Sequence, residues 1–258
     1  MSARPMTPVL VRDTATVFSR EFAPVPRQPL TLLFTMTQPL VFLFLFGPAL
    51  SGATTFGQGE APWQWFVPGI LIMLCLTGPM SAGYSLLVEL LGGSLERMLV
   101  TPLSRTAMLV GRTMKEFVIL LAQAALIVAF ALPLGFRPSP LGVAAGLVLL
   151  TVLGAGLGGL SFVLAIASRP GGELFFGVTQ LVMFPLVLLS GLLLPVETGP
   201  GWLRGAAALN PLFYVVEAER SLFAGRFTDP AVPYGVLAAG VVAAVGLALG
   251  VRAMRRGI

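Results

Sequence analysis

The sequence predicts an all-α polytopic membrane protein with six transmembrane helices, and three observations carry that prediction. The 16 basic and 11 acidic residues leave six long stretches without charge: 28–59, 61–88, 117–136, 138–168, 174–196 and 230–251. The shortest holds 20 residues. A helix rises about 1.5 Å per residue, so roughly 20 apolar residues cross a hydrocarbon core about 30 Å thick. Composition agrees: 56% of residues are hydrophobic and 10% charged, where a soluble domain carries about 25% charged. The basic residues then set the orientation. With the N-terminus inside and the chain alternating, Arg4, Arg12, Arg20, Arg27, Arg97, Arg105, Arg112, Lys115, Arg169, Arg252, Arg255 and Arg256 fall inside. Only Arg137, Arg204, Arg220 and Arg226 fall outside. The positive-inside rule therefore predicts cytoplasmic N- and C-termini. The net charge of +5 is a topology signal, with attraction to the anionic lipid bilayer as a by-product, and implies no nucleic-acid partner.

Residues 1–29 are expected to form a cytoplasmic interfacial segment, and 30–258 one six-span membrane domain. In the first, Met6, Leu10, Val17, Phe18 and Phe22 share a helical face, while Arg12, Asp13, Arg20 and Glu21 fall mostly elsewhere. That is the pattern of an amphipathic helix lying on the inner leaflet. Pro24, Pro26 and Pro29 break it before the first span. Spans are expected at about 30–50, 65–88, 114–135, 141–167, 174–194 and 232–251, with Trp63 and Trp65 in an interfacial belt. FRPSP and RPGG, at 136–140 and 169–172, allow only tight turns. Gly142/Gly146, Gly154/Gly158 and Gly246/Gly250 permit close helix approach, most simply within one chain. The outer loop of about 195–230 is cut by Pro195, Pro200 and Pro211 into pieces too short to span, yet holds Trp202, Leu203, Leu209, Leu212, Phe213, Val216, Leu222 and Phe223. Short helices at the outer leaflet before the last span satisfy their backbones there only when packed on the bundle.

Catalysis and ion coupling are poorly served. Histidine is absent and Cys75 is the one cysteine, which removes an intramolecular disulfide, a histidine base and the usual zinc or haem ligation. The one lysine, Lys115, stands between Met114 and Glu116, not in a G-x-x-x-x-G-K-[ST] loop. No catalytic residue, metal or cofactor is assigned to this chain. The middle of each predicted span lacks the ionisable residues that proton and sodium relays use. Thr77, Tyr84, Thr151, Ser161 and Thr179 are polar groups of the kind that usually hydrogen-bond a neighbouring helix. Gln38, Gln123, Gln180 and Ser190 are candidates for a substrate path, with the same structural explanation open to them. Such an interior suits a lipophilic or amphipathic cargo, with energy drawn from another subunit.

The inner loop, 89–116, offers the means. Leu95, Met98 and Leu99 can share one face of a short helix, with Glu96 and Arg97 on another. Thr101-Pro102 ends it, and Ser104 is a good cap for a second. A helix of this kind either docks in another protein's groove or rests on lipid.

At these residues the chain resembles the permease subunits of type 2 ABC transporters, most closely the group typified by daunorubicin-resistance exporters. Gly93, Leu95, Glu96, Arg97, Thr101, Pro102, Ser104, Arg105 and Gly111 fit the family's G-x-L-E-R-x-x-x-T-P-x-S-R pattern. Pro185, Ser190, Gly191, Pro195, Pro200, Trp202, Leu203, Asn210, Pro211, Tyr214, Arg220 and Gly225 fit a second block. The resemblance implies a homodimer, or a pair with a similar permease, multi-pass in the bacterial plasma membrane. It implies separately encoded ATP-binding cassette ATPase subunits that hold the ATP and Mg. It further implies that the segment around Gly93, Leu95, Glu96, Arg97, Thr101, Pro102 and Arg105 is the coupling helix. Trp202, Asn210, Pro211, Tyr214 and Arg220 would belong to an outer gate. Arg137 and Ala207–Leu209 depart from the pattern.

The leading expectation is the membrane subunit of an ATP-driven exporter of a drug, lipid or natural product. A flippase for lipid or polysaccharide precursors shares the same subunit plan. A stand-alone membrane enzyme or channel is opposed by the missing base, metal ligands and intramembrane charges.

Overall fold

The computed structural model describes residues 6–27, 29–51, 62–92, 105–192, 196 and 199–257, and every regular element among them is helical. In chain order they are α1 (Met6–Phe22), α2 (Pro29–Ser51), α3 (Pro62–Leu91), α4 (Arg105–Ala131), α5 (Pro140–Ala167), α6 (Glu173–Leu188), α7 (Gly201–Ala208), α8 (Pro211–Phe223) and α9 (Ala231–Gly257). Four stretches are long and apolar enough to cross a membrane: Pro62–Leu91, Val110–Leu134, Pro140–Ala167 and Ala231–Met254. Two shorter apolar stretches, Phe34–Leu45 and Glu173–Leu188, coincide with the remaining predicted spans.

α3 is the centre. Every residue from Trp65 to Leu76 is buried, as suits a helix apolar on all sides, and α2, α4, α5 and α8 pack around it. Trp65 therefore does not sit in a lipid-facing belt. α1 is helical as its pattern predicts, but it packs along the first turns of α4. There a Cβ on Gly111 would stand 2.8 Å from a Val17 methyl. α4 begins at Arg105, earlier than the predicted span, because nothing from Arg105 to Glu116 breaks a helix and α1 covers it. Val17 of α1 and Met254 of α9 share one buried cluster with Leu86 and Phe162, so the two ends of the described chain meet at one end of the bundle.

Two turns rest on glycine. Gly135 (φ 105°) ends the short 3-10 turn Leu132–Leu134 that follows α4, and Gly172 (φ 77°) precedes α6, conformations that cost other residues far more. Ser139 then caps α5, accepting from the Gly142 backbone N–H, with Pro140 following at the first helical position. α6 ends at Leu188, short of the predicted 194. Pro185 lies in its last turn and Gly191 turns the chain at φ 70°.

Close helix approach is intramolecular at two of the three predicted glycine pairs. Gly142 and Gly146 of α5 receive Leu222, Phe223 and Glu219 of α8, and Gly246 and Gly250 of α9 receive Gly156 and Gly159 of α5. Gly154 and Gly158 make only ordinary contacts, at 3.5 Å to Cys75 and 3.9 Å to Pro79.

Candidate functional site

Two features stand out at opposite ends of α3. At the α1 end, a cavity of about 550 Å³ opens between α1, α2, α3 and α4. Its wall is mixed, with uncharged polar groups from three helices: Thr35 and Gln38 from α2, Thr77, Ser81 and Ser85 from α3, and Gln123 from α4. The Gln123 side chain donates to the Thr35 hydroxyl at 3.0 Å, tying α4 to α2. Thr77 bonds back to the Met73 and Leu74 carbonyls of its own helix, a habit of threonine inside helices. An adjoining apolar groove of about 240 Å³ is lined by Phe22, Val25, Met36, Ile119 and Leu126, with Gln123 on the shared wall.

An ion cluster closes the α1 side of this cavity. Lys115 lies 3.1 Å from Glu116 and 3.7 Å from Glu21, and Arg112 lies 3.5 Å from Glu21 while also pairing with Glu89. Glu21 comes from α1, Glu89 from α3 and the rest from α4, so one network joins three helices. The Arg112 side chain is only 6% exposed, a setting in which a cation persists only when paired.

At the other end, α8 is wedged against α3, α5 and α9 and held by its polar residues. Asn210 caps it, accepting from the Leu212 N–H at 3.0 Å, and its side-chain amide donates to the Leu186 carbonyl at 2.8 Å. Pro211 follows at the first helical position. The Tyr214 hydroxyl donates to the Ala208 carbonyl at 2.9 Å, fastening α7 to α8. Arg220 donates to the Trp65 carbonyl at 3.1 Å, the Gly191 carbonyl at 2.8 Å and Glu217 at 2.5 Å. Its guanidinium also lies 3.9 Å from the centre of the Trp65 ring, a cation–π geometry. Beyond α8, the Ala231 N–H donates to Asp229, and with the Ser221 hydroxyl and Arg226 beside it holds that carboxyl below the usual carboxylate range.

The candidate residues thus divide. Gln38 and Gln123 line one cavity; Gln180 is exposed on α6 and lines no part of it. Ser190 is buried, its hydroxyl donating to the Val187 carbonyl and accepting from the Leu192 N–H at the end of α6. Asn210, Pro211, Tyr214 and Arg220 come together around α8, whereas Trp202 is 72% exposed. Gly93, Leu95, Glu96, Arg97, Thr101 and Pro102 lie outside the described residues, as does the side chain of Arg105.

The sequence reading missed Glu219. It is fully buried in α8 against α5, and neither carboxylate oxygen has a hydrogen-bond partner among the described residues. A Cβ on Gly146 would stand 3.2 Å from its carboxyl carbon, so the glycine makes room for it. The expectation of an uncharged interior concerned the middle of each predicted span, and Glu219 instead places a buried carboxyl in the segment predicted as outer loop. The signal was present: Leu212, Val215, Val216, Leu222 and Phe223 mark an apolar stripe, and Glu219 falls on it.

A helical bundle with four helices long and apolar enough to span, a buried apolar helix at its centre, a cavity at one end and a wedged helix at the other has the make-up of a multi-pass membrane protein. A family model for the ABC-2 type transporter matches residues 12–224, and the chain belongs to that family. The chain is 28% identical over 229 residues to the daunorubicin resistance ABC transporter permease protein DrrB1 of Streptomyces coeruleorubidus, covering 86% of this chain and 78% of that one. It is 30% identical over 246 residues to the putative transport permease ycf38 of Porphyra purpurea, covering 87% and 83%. The probable multidrug ABC transporter permease YbhR of Escherichia coli K12 is 25% identical over 163 residues, covering 62% of this chain and 44% of that one. The family sets the chain within an ABC transporter system, as a transport permease subunit.

Proposed function

We propose that this chain is the membrane subunit of an ATP-driven exporter that moves a lipophilic or amphipathic compound out of the cell. Two copies pair with each other or with a similar permease, and a separate ATP-binding cassette subunit holds ATP and Mg and hydrolyses the nucleotide. The observation that carries this reading is the cavity at the α1 end, polar on one wall and continuous with an apolar groove. A cargo with both characters enters there from the inner leaflet or cytoplasmic interface. α7 and α8 cover the opposite end and gate release. The segment of Gly93–Arg105 docks on the ATPase, and the five-member ion cluster couples its movement to α1, α3 and α4. Relatives whose names record daunorubicin and multidrug transport support a drug-like cargo.

The test uses inverted membrane vesicles carrying this chain and its ATPase. ATP should drive uptake of a lipophilic dye and not of a small hydrophilic anion, because an apolar path excludes a bare ion. The Glu96→Ala and Arg97→Ala double variant should insert normally and lose ATP-driven uptake. Uptake of the anion alone, or wild-type uptake by the double variant, would contradict the proposal.

The topology that this requires has six spans with the α1 end cytoplasmic. Single cysteines at Ser104 and Ala206, in a Cys75→Ser background, should separate cleanly with an impermeant thiol reagent. In intact cells position 206 should label and position 104 should not. The reverse pattern would invert the orientation.

A further inference from the structure

Glu219 is fully buried, and neither of its carboxyl oxygens has a hydrogen-bond partner among the described residues. It lies on the seam between α8 and α5. On one side of it, a Cβ on Gly142 would stand 2.7 Å from the Leu222 carbonyl carbon, so backbone contact closes the seam against water. On the other, one turn beyond Gly146 along α5, the Leu150 carbonyl already accepts from the Cys75 thiol of α3 at 3.3 Å. α5 carries no ionisable residue. α3 brings Cys75, while its Tyr84 and Glu89 lie toward the α1 end, against Phe176 and Arg112. α9 brings Tyr234, exposed beside Tyr214, and α7 brings the exposed Arg204; Arg252 lies at the far end of α9. On α8 itself, Arg220 is engaged by Trp65, Gly191 and Glu217. Beyond it, Arg226 pairs with Asp229 at 3.7 Å. No described cation pairs with Glu219, and burial alone pushes its carboxyl up to about 8.

We infer that Glu219 is a proton-binding site that seats α8: the helix rests on α5 while the carboxyl holds its proton, and lifts when the proton leaves to water. An ionised carboxylate in this seam has neither a cation nor a donor, and burying it costs far more than burying the neutral acid. Lifting α8 hydrates it. The seated helix keeps the proton over a range in which a hydrated carboxyl has lost it, from the ordinary 4.5 to about 8. The seat is therefore firmest below that range and weakens as pH rises through it. The export reading supplies only the sense of this step as a gate, for the seating of α8 is measurable without ATP or ATPase.

The experiment places the full chain in phosphatidylcholine nanodiscs with Cys75→Ser and Val216→Cys, the second at a buried position one helical turn before Glu219. Labelling by N-ethylmaleimide then reads how often α8 lifts. Glu219→Gln, an isostere of the protonated acid, is run in parallel and cancels the pH dependence of the thiol itself. The labelling rate relative to Glu219→Gln should rise by up to about tenfold per pH unit between about pH 5 and 8 and level off above, as linkage to one proton requires. Over the same range the unfolding midpoint should fall more steeply with Glu219 than with Glu219→Gln. If Glu219→Gln fails to yield folded protein, Glu219→Met supplies a neutral side chain of similar length, with the same expectation. A relative rate that is independent of pH, one that falls as pH rises, or the same midpoint-against-pH curve in the neutral variant would each overturn the inference. The expected pattern without ATP-driven uptake in the vesicle assay would uphold the proton site and count against the export reading alone.

Discussion

Arg220→Ala should lower the unfolding midpoint of the purified protein by about 10 °C and abolish the proposed export. One guanidinium joins three separate pieces of chain: the start of α3 through the Trp65 carbonyl, the turn after α6 through the Gly191 carbonyl, and its own helix through Glu217. The side chain is 5% exposed, so little water replaces those bonds when it is removed. A hydrogen bond to a charged group is worth about 1.5–3 kcal/mol, and losing a buried set together exceeds ~3 kcal/mol. At about 2–4 °C per kcal/mol for a protein of this size, that gives the expected shift. Arg220→Lys should recover less than half of it. A lysine ammonium has three donors but no planar fork, and it does not span two carbonyls while covering the Trp65 ring. Thermal unfolding in detergent, followed by tryptophan fluorescence, reads both variants. An Ala variant that melts with the wild type would show that α8 is held by apolar packing alone.

Much of the helical layout was legible because the hydrocarbon thickness imposes a one-dimensional rule on charge. A charge-free run marks where a helix lies in the bilayer, and α2, α3, α5 and α9 fall close to the predicted windows. The same rule does not say where a helix stops. Arg112, Lys115 and Glu116 mark the predicted inner boundary of the third span, yet α4 continues through them to Arg105, since charge does not end a helix when α1 packs over it. At the far end of α6 the opposite holds: no charge intervenes before Glu197, but the helix ends at Leu188 through backbone geometry.

The site was legible in part, and the limits have the same origin. Gln38 and Gln123 were selectable because an amide in an apolar run needs a partner, and they do line one cavity. Their companions Glu21, Lys115 and Glu116 belonged, in the sequence, to a segment before the first span and to a loop, and only folding sets them in one wall. Trp65 shows the reverse error. Its position at a span end matched an aromatic belt, but Arg220, 155 residues later in the chain, covers it. Arg220 and Glu219 fall in a nominal outer loop, so a count of charges per span passes over both.

Gly246→Ala should disrupt the bundle more than any other single methyl added to α9. The α5–α9 contact is backbone against backbone. A Cβ on Gly246 would lie 2.6 Å from the Gly156 carbonyl carbon, one on Gly156 would lie 2.6 Å from the Ala243 nitrogen, and one on Gly159 would lie 2.9 Å from the Leu247 nitrogen. Main-chain atoms of two helices do not rotate aside as a flexible side chain does, so the helices must separate along the whole contact. In a bilayer that separation removes dispersion contacts without any compensating hydrophobic gain, because lipid tails are as apolar as the partner helix. The loss should reach or exceed the ~1–3 kcal/mol typical of overpacking. Gly240 supplies the control on the same helix, for a Cβ there meets nothing within 4 Å. Gly240→Ala should leave the melting midpoint unchanged or raise it, since alanine favours a helix over glycine by about 1 kcal/mol. α9 also supports α8, where a Cβ on Gly235 would stand 2.7 Å from the Tyr214 carbonyl oxygen. Opening the α5–α9 seam should therefore loosen α8 and reduce the proposed export together with stability. If Gly246→Ala and Gly240→Ala melt alike, the two helices are farther apart than this packing requires, and the small residues at 246 and 250 are free to serve contacts between subunits instead.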